Sequence, residues 1–191
     1  AEPKVDFKKV RDHIRKVIAA IEPHDSAARF EKLGVKVVPG AAKFRDAKTL
    51  ESGGSIFSAK RIVIATGSRP AVPAIPGLET VAYFTNETIF ENSVLPKHLI
   101  IIGGGAIGME LAQAHRRLGS AVTVIEAFTP LAKDDPELAA VVLESLRRDG
   151  VKIFAETAIK KISKAKPGIA IETAGHGKIT GSHLLVSTAR A

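Results

Sequence analysis

The sequence predicts an α/β fold: a parallel sheet wrapped by helices, with short antiparallel strands beside it. Three observations predict it. From His98 the apolar pattern runs strand, helix, strand, helix, strand, the order that produces parallel strands joined by right-handed crossovers. A glycine-rich turn, Gly103-Gly104-Gly105, joins the first of those strands to its helix. Short apolar runs, separated by turn residues, lie on both sides of that unit and read as a β-meander.

The elements follow in order. Residues 6–21 read as an amphipathic helix, because Phe7, Val10, Ile14, Val17, Ile18 and Ile21 recur at spacings of three and four. Lys8, Lys9, Arg11, Arg15 and Lys16 fall mostly off that face and form a solvated basic side. Pro23 ends the helix. Asp25 or Ser26 caps a short second helix through Leu33, stopped by Gly34. Strands are expected at 35–38, 42–44, 55–57 and 61–65, the last so apolar that burial on both faces is expected. Pro70, Pro73 and Pro76 mark an extended connector, and a short helix is expected near Thr85-Asn86-Glu87. Beyond Pro96, strands are predicted at 99–102, 122–125 and 151–154, and helices at about 105–118 and 136–148. Pro136 lies near the first position of the second helix, among Asp134, Asp135 and Glu137. Residues 158–187 read as short strands, with turns at Pro167-Gly168 and Gly175-His176-Gly177. Lys160, Lys161, Lys164 and Lys166 suit an exposed strand edge.

Composition excludes several classes. The 191 residues include no cysteine, so the chain has no disulfide, no thiolate metal site and no redox dithiol of its own. Its net charge of +8 alone would suggest nucleic acid, but residues 1–61 hold 14 Lys and Arg against 8 Asp and Glu, so most of the excess is local. No aromatic ladder exists to stack bases. The six histidines, His13, His24, His98, His115, His176 and His183, show no close metal-ligand spacing, and no metal site is expected. No apolar run is long enough to span a bilayer, and the charged start, residues 1–9, has no signal-like apolar stretch. A cytoplasmic location is the expectation.

Gly103, Gly105 and Gly108 fill the G-x-G-x-x-G pattern, in the context that gives it meaning: apolar strand before, helix after, and a second strand ending in Glu126. Gly103 permits the tight turn, Gly105 leaves room for a pyrophosphate, and Gly108 lets the helix pack closely. The helix N-terminus offers free N–H groups to phosphate. Glu126, 23 residues after Gly103, stands where a carboxylate accepts from the adenosine ribose hydroxyls and repels a 2′-phosphate, which favours NAD. Lys133 would suit a 2′-phosphate if Glu126 turned away, leaving NADP as the alternative. The fold is thus Rossmann-like, and Gly103, Gly104, Gly105, Ala106, Ile107, Gly108, Glu126 and Ala127 are the candidate NAD contacts.

Three blocks make the chain resemble the central region of the pyridine nucleotide–disulfide oxidoreductases, the flavoprotein group of dihydrolipoamide dehydrogenase, glutathione reductase and mercuric reductase. They are Ala65-Thr66-Gly67-Ser68-Arg69-Pro70 continuing to Ile75-Pro76-Gly77, then Gly103 to Glu126, then Leu184 to Arg190. Gly40-Ala41-Ala42-Lys43-Phe44 adds to the likeness, and the wording around His24-Asp25-Ser26 and Thr85 to Phe90 is closest to mercuric-reductase-like and dihydrolipoamide-dehydrogenase-like members. The resemblance implies a partial FAD-domain segment over 1–70, a connector over 71–95, an NAD(P)-binding domain over 96–188 and the start of a return to the FAD domain at 189–191. It implies that Ala42, Ala65, Thr66 and Gly67 approach FAD, that Ala189 stands where the family has glycine, and that Glu110 orients the nicotinamide–flavin junction. It also implies what the chain lacks: an N-terminal flavin fingerprint, a redox cysteine pair and a dimerisation domain. The expected function is therefore that of a central fragment of an FAD-dependent NAD(P)H oxidoreductase, inactive alone. Its hydride would go from NADH to flavin and on to a disulfide, a metal or another acceptor that this sequence does not specify. The parent is expected to be a homodimer with no nucleic-acid or membrane partner. The alternative is a stand-alone, non-catalytic NAD-binding module.

Overall fold

The computed structural model describes residues 5–190, apart from the side chain of Arg190. Residues 1–4 of the charged start, and Ala191 of the expected return segment, lie outside the described residues. The chain forms two compact units: Asp12–Gly67, and Ser68 onward together with the residues up to Arg11.

Helix α1 (Phe7–Ile21) follows the predicted periodicity. Its first turn is capped by Asp6, whose Oδ1 accepts from the N–H groups of Lys8 at 3.1 Å and Lys9 at 3.4 Å. The end of its apolar face, Val17, Ile18 and Ile21, is exposed. Pro23 falls in a 3₁₀ turn (Glu22–Asp25) that follows directly. Helix α2 (Ala27–Lys32) is capped by Ser26, whose Oγ accepts from Arg29 N–H at 3.3 Å, and Gly34 beyond it takes φ +83°. Strands β1 (Lys43–Asp46), β2 (Thr49–Ser52) and β3 (Ser55–Ser58) form an antiparallel meander. Gly53 and Gly54, at φ +57° and +75°, make the two-residue turn between β2 and β3.

Two expected strands are absent from this unit. Residues 35–38 and 61–65 belong to no sheet among the described residues. Apolar composition marks a segment that can be buried between neighbours, whereas a strand also requires a ladder on at least one edge. Neither run has one among the described residues, and the expected burial of 61–65 fails with it: Val63 is 88% exposed and Ile64 70%.

The larger unit contains the predicted parallel sheet, in the order β11 (His183–Val186), β5 (His98–Ile102), β6 (Ala121–Ile125), β7 (Lys152–Phe154). Helices α3 (Ala106–Arg117) and α4 (Pro136–Arg148) make the crossovers. A second, antiparallel sheet runs β10 (Gly177–Gly181), β9 (Ile169–Thr173), β8 (Ile159–Lys164), so the lysines of β8 do lie on an edge. The Pro-rich connector contributes β4 (Pro70–Ala71), which pairs with β12 (Ala189–Arg190). In place of the short helix expected near Thr85, the chain makes one 3₁₀ turn, Ile89–Glu91.

Side-chain alternation along β5 builds two cores. Leu99 and Ile101 join Val122, Val124, Met109, Ala112 and Leu146 on the helical side. Ile100 and Ile102 join Ile125, Leu184, Val186, Ile162 and Ile171 on the side of the antiparallel sheet. Burial at roughly 1.5–3 kcal/mol per large aliphatic side chain makes this sheet the rigid platform of the unit. The carboxyl ends of β5, β6 and β11 converge at Ile102, Ile125 and Val186.

Candidate functional site

The turn after β5 is determined by contacts that exclude Cβ atoms. Gly103 has φ +110°, and a Cβ there would lie 2.5 Å from the Ser187 carbonyl oxygen. At Gly108 a Cβ would run into the Gly103 carbonyl, so α3 begins hard against the turn. Gly105 differs: a Cβ built on it meets nothing. It is also the N-terminal flank of α3, where no side chain makes a capping bond. The first N–H groups of α3 therefore face a space kept clear of protein atoms, which suits an anionic group.

Glu126 follows β6 and folds back onto the turn. Its Oε2 accepts from Gly104 N–H at 2.6 Å and its Oε1 from Phe128 N–H at 2.9 Å. The Gly104 carbonyl accepts from Leu131 N–H at 2.9 Å, so the peptides on both sides of Gly104 are held. A Cβ on Gly104 would come within 2.9 Å of Glu126 Cβ, which explains the glycine at a position the pattern leaves free. Leu131 is buried with φ +55°, a conformation a branched side chain rarely adopts, and it stands at the hydrogen bond that fixes the turn. Each Glu126 oxygen keeps acceptor capacity beyond its backbone bond.

These parts surround a cleft of about 460 Å³. Among the sequence-derived candidates, Gly104, Gly105, Ala106, Ile107, Glu126 and Ala189 line it. Gly103 and Gly108 lie in the packing beneath it, and Ala127 is exposed beside Glu126. Glu110 lies elsewhere: it is exposed on α3 and lines a separate groove of about 420 Å³ between α3 and α4. Ala42, Ala65, Thr66 and Gly67 belong to the other unit, where all four are exposed and Gly67 takes φ +68°.

The cleft also recruits residues that the motif did not reveal. Ser187 and Thr188 come from the end of β11; Ser187 N–H donates to Ile102 O at 2.8 Å, and its Oγ lies 3.3 Å from the carbonyl oxygens of Ile102 and Gly103. Phe128, 75% exposed, stands beyond Glu126, and Asn86 enters from the connector. Lys133 and Asp134 complete the rim beside Leu131. The sequence already singles out Lys133; Phe128 was within reach of the same reading, since it follows the Glu126 strand directly, and Asn86 required the fold.

Residues 5–190 match the family described as pyridine nucleotide-disulphide oxidoreductase. The chain is 34% identical, over 99% of its length, to a mercuric reductase of Streptomyces lividans, of which it covers 42%. It is 35% identical over 84% of its length to a mercuric reductase of Staphylococcus aureus, covering 30% of that protein. Among solved structures it superposes on the HOCl-induced flavoprotein disulfide reductase RclA of Escherichia coli, in its Cu(II) complex, with a TM-score of 0.84 at 26% identity, over 98% of this chain and 43% of that one. The fold is also that of LpdA from Mycobacterium tuberculosis, with a TM-score of 0.82 at 23% identity, covering 99% of this chain and 44% of that one. The chain thus spans less than half the length of these relatives. Among the described residues no helix is long and apolar enough to cross a membrane.

Proposed function

The chain belongs to the pyridine nucleotide-disulphide oxidoreductase family, and on that premise we propose that its cleft binds NAD(H) as the nicotinamide-dinucleotide site of a longer FAD-dependent oxidoreductase. The observation that carries this reading is the pairing of a cleared space at Gly105 with the anchored carboxylate of Glu126. The pyrophosphate would lie over Gly105 against the N-terminus of α3, where the uncapped N–H groups and the helix dipole favour negative charge. The adenosine ribose would give its hydroxyl protons to the remaining acceptor positions of Glu126.

Two backbone N–H groups hold Glu126, so it cannot swing aside without leaving both unpaired. A 2′-phosphate would meet that fixed negative charge, and this supports NAD over NADP in spite of Lys133. We assign 96–188 to this nicotinamide domain and 1–70 to part of a flavin domain, with 71–95 as connector and 189–191 as the return. FAD fits the exposed backbone of Ala65, Thr66 and Gly67, where a Cβ on Gly67 meets no atom. Bound together in the whole protein, the two cofactors would supply hydride transfer from nicotinamide to flavin; the protein's part is to hold and orient them. A homodimeric parent in the cytoplasm, passing electrons to a disulfide or a metal ion, is the matching setting.

Titration with NADH and NADPH, repeated with Glu126→Gln, tests the site. Gln keeps an acceptor for one backbone N–H and removes the charge. The wild type is expected to prefer NADH, and the variant to shift that preference toward NADPH by about tenfold, the scale of losing one partly screened like-charge contact. An unchanged preference would remove Glu126 as the discriminating group.

A further inference from the structure

Gly105 and Glu126 serve the adenosine and pyrophosphate side of the cleft, and Asn86, Ser187 and Thr188 stand on the other side without a role. Phe84, two residues before Asn86, adds a fifth parallel position to the sheet. Its N–H donates to Leu184 O and its carbonyl accepts from Val186 N–H, both at 2.8 Å. Across the sheet the order is then Phe84, β11, β5, β6, β7. The connections run outward from β5 through β6 to β7, and then return to β11 on the other side of β5. The switch point thus lies between β5 and β11, above the Gly103 turn. A dinucleotide whose adenosine is held at the end of β6 must extend its other half over β11 toward Phe84.

Asn86 stands two residues past Phe84 and lines the cleft. The turn that carries it is fixed. Thr88 Oγ1 accepts from Thr85 N–H at 2.9 Å, Thr85 O accepts from Ile89 N–H at 3.0 Å, and Thr85 Oγ1 accepts from Glu87 N–H at 3.3 Å. Asn86 is half-buried within this turn, and its carboxamide makes no hydrogen bond among the described residues. Its two donors and its acceptor are therefore free to meet a ligand in the cleft.

We propose that Asn86 is a cofactor-binding residue for the nicotinamide riboside half of NAD(H), hydrogen-bonding that half and fixing its position over β11. The inference rests on the dinucleotide reading of the cleft. It assigns the two ends of the ligand to two separate segments, the adenosine to the residues after β6 and the nicotinamide riboside to the connector before β5.

Calorimetric titration of the wild type and Asn86→Ala with NADH and with ADP tests it. ADP carries the adenosine and pyrophosphate and lacks the half assigned to Asn86, so it also reports whether the variant keeps its fold. The variant is expected to bind NADH roughly three- to tenfold more weakly, the effect of one lost hydrogen bond, with ADP affinity unchanged. An equal loss on both ligands, or no loss on either, would overturn the role of Asn86 while leaving the dinucleotide site standing. A wild type that fails to bind NADH would overturn the dinucleotide reading and this inference with it.

Discussion

Gly105 and Gly108 lie three residues apart in one motif and answer to opposite requirements. A methyl group on Gly108 has no place to go, because the Gly103 carbonyl and Ser187 Oγ occupy its position. A methyl group on Gly105 would enter the open cleft, and the residue's φ of −78° is one that alanine adopts freely. Gly108→Ala is therefore expected to lower stability by about 1–3 kcal/mol, the usual cost of overpacking. Gly105→Ala should leave the melting temperature unchanged and weaken NADH binding at least tenfold. Thermal melting combined with titration separates the two; equal melting losses in both variants would mean that Gly105 is structural. The residues that hold the turn were legible because they are contiguous: one apolar strand, three glycines, one helix and one acid at the end of the next strand. Asn86, Ser187 and Thr188 were not, since it is the position of β11 beside β5, and the pairing of Phe84 with β11, that brings them to the cleft.

Elements were legible where local pattern and tertiary burial agree. Helix α4 was expected at 136–148 and is found at Pro136–Arg148, because proline at its start and the acidic residues around it both mark the same end. Asp135 Oδ1 accepts from the N–H groups of Glu137 at 3.0 Å and Leu138 at 3.3 Å. Asp135→Ala should cost about 1 kcal/mol, the usual worth of a cap, and a denaturant midpoint that does not move would show that the cap is redundant. The expectation includes 61–65 and leaves out β2 for one and the same reason. Thr49-Leu50-Glu51-Ser52 has little apolar content, yet it is the central strand of its meander and pairs on both sides. Arg61-Ile62-Val63-Ile64-Ala65 is nearly all apolar and pairs with no strand among the described residues. Hydrophobicity reports what a segment can bury, and hairpin turns report what it can pair with. Gly53-Gly54 and Ala47-Lys48, read as two-residue turns, would have located β2.

At the scale of the whole molecule, the two ends of the parallel sheet in the larger unit differ in chemistry. The cleft lies at the carboxyl ends of the parallel strands. Toward the opposite end lie three histidines: His98 opens β5, His183 opens β11, and His115 is buried on α3. Burial lowers the pKa of all three below the ordinary histidine value of about 6.5; Lys152 adds to the effect at His98 and His115 adds to it at His183. His98 Nε2 pairs with Thr123 Oγ1 and His115 Nδ1 with Leu111 O, both at 2.9 Å; the bond to Leu111 O opposes the downward shift at His115, and burial outweighs it. Each histidine therefore binds its proton more readily in the unfolded chain than in the folded one. The sign follows from linkage: stability is complete above pH 6.5 and declines as pH falls from there through the lower folded values. The melting temperature should be level from pH 8 to about 7 and drop progressively toward pH 5. His115→Gln, which keeps a donor for Leu111 O and cannot titrate, should flatten part of that slope. A melting temperature independent of pH over this range would show that the buried rings lose no stability on protonation. A slope left unchanged by His115→Gln would move the effect to His98 and His183, which open the two adjacent strands of the same sheet.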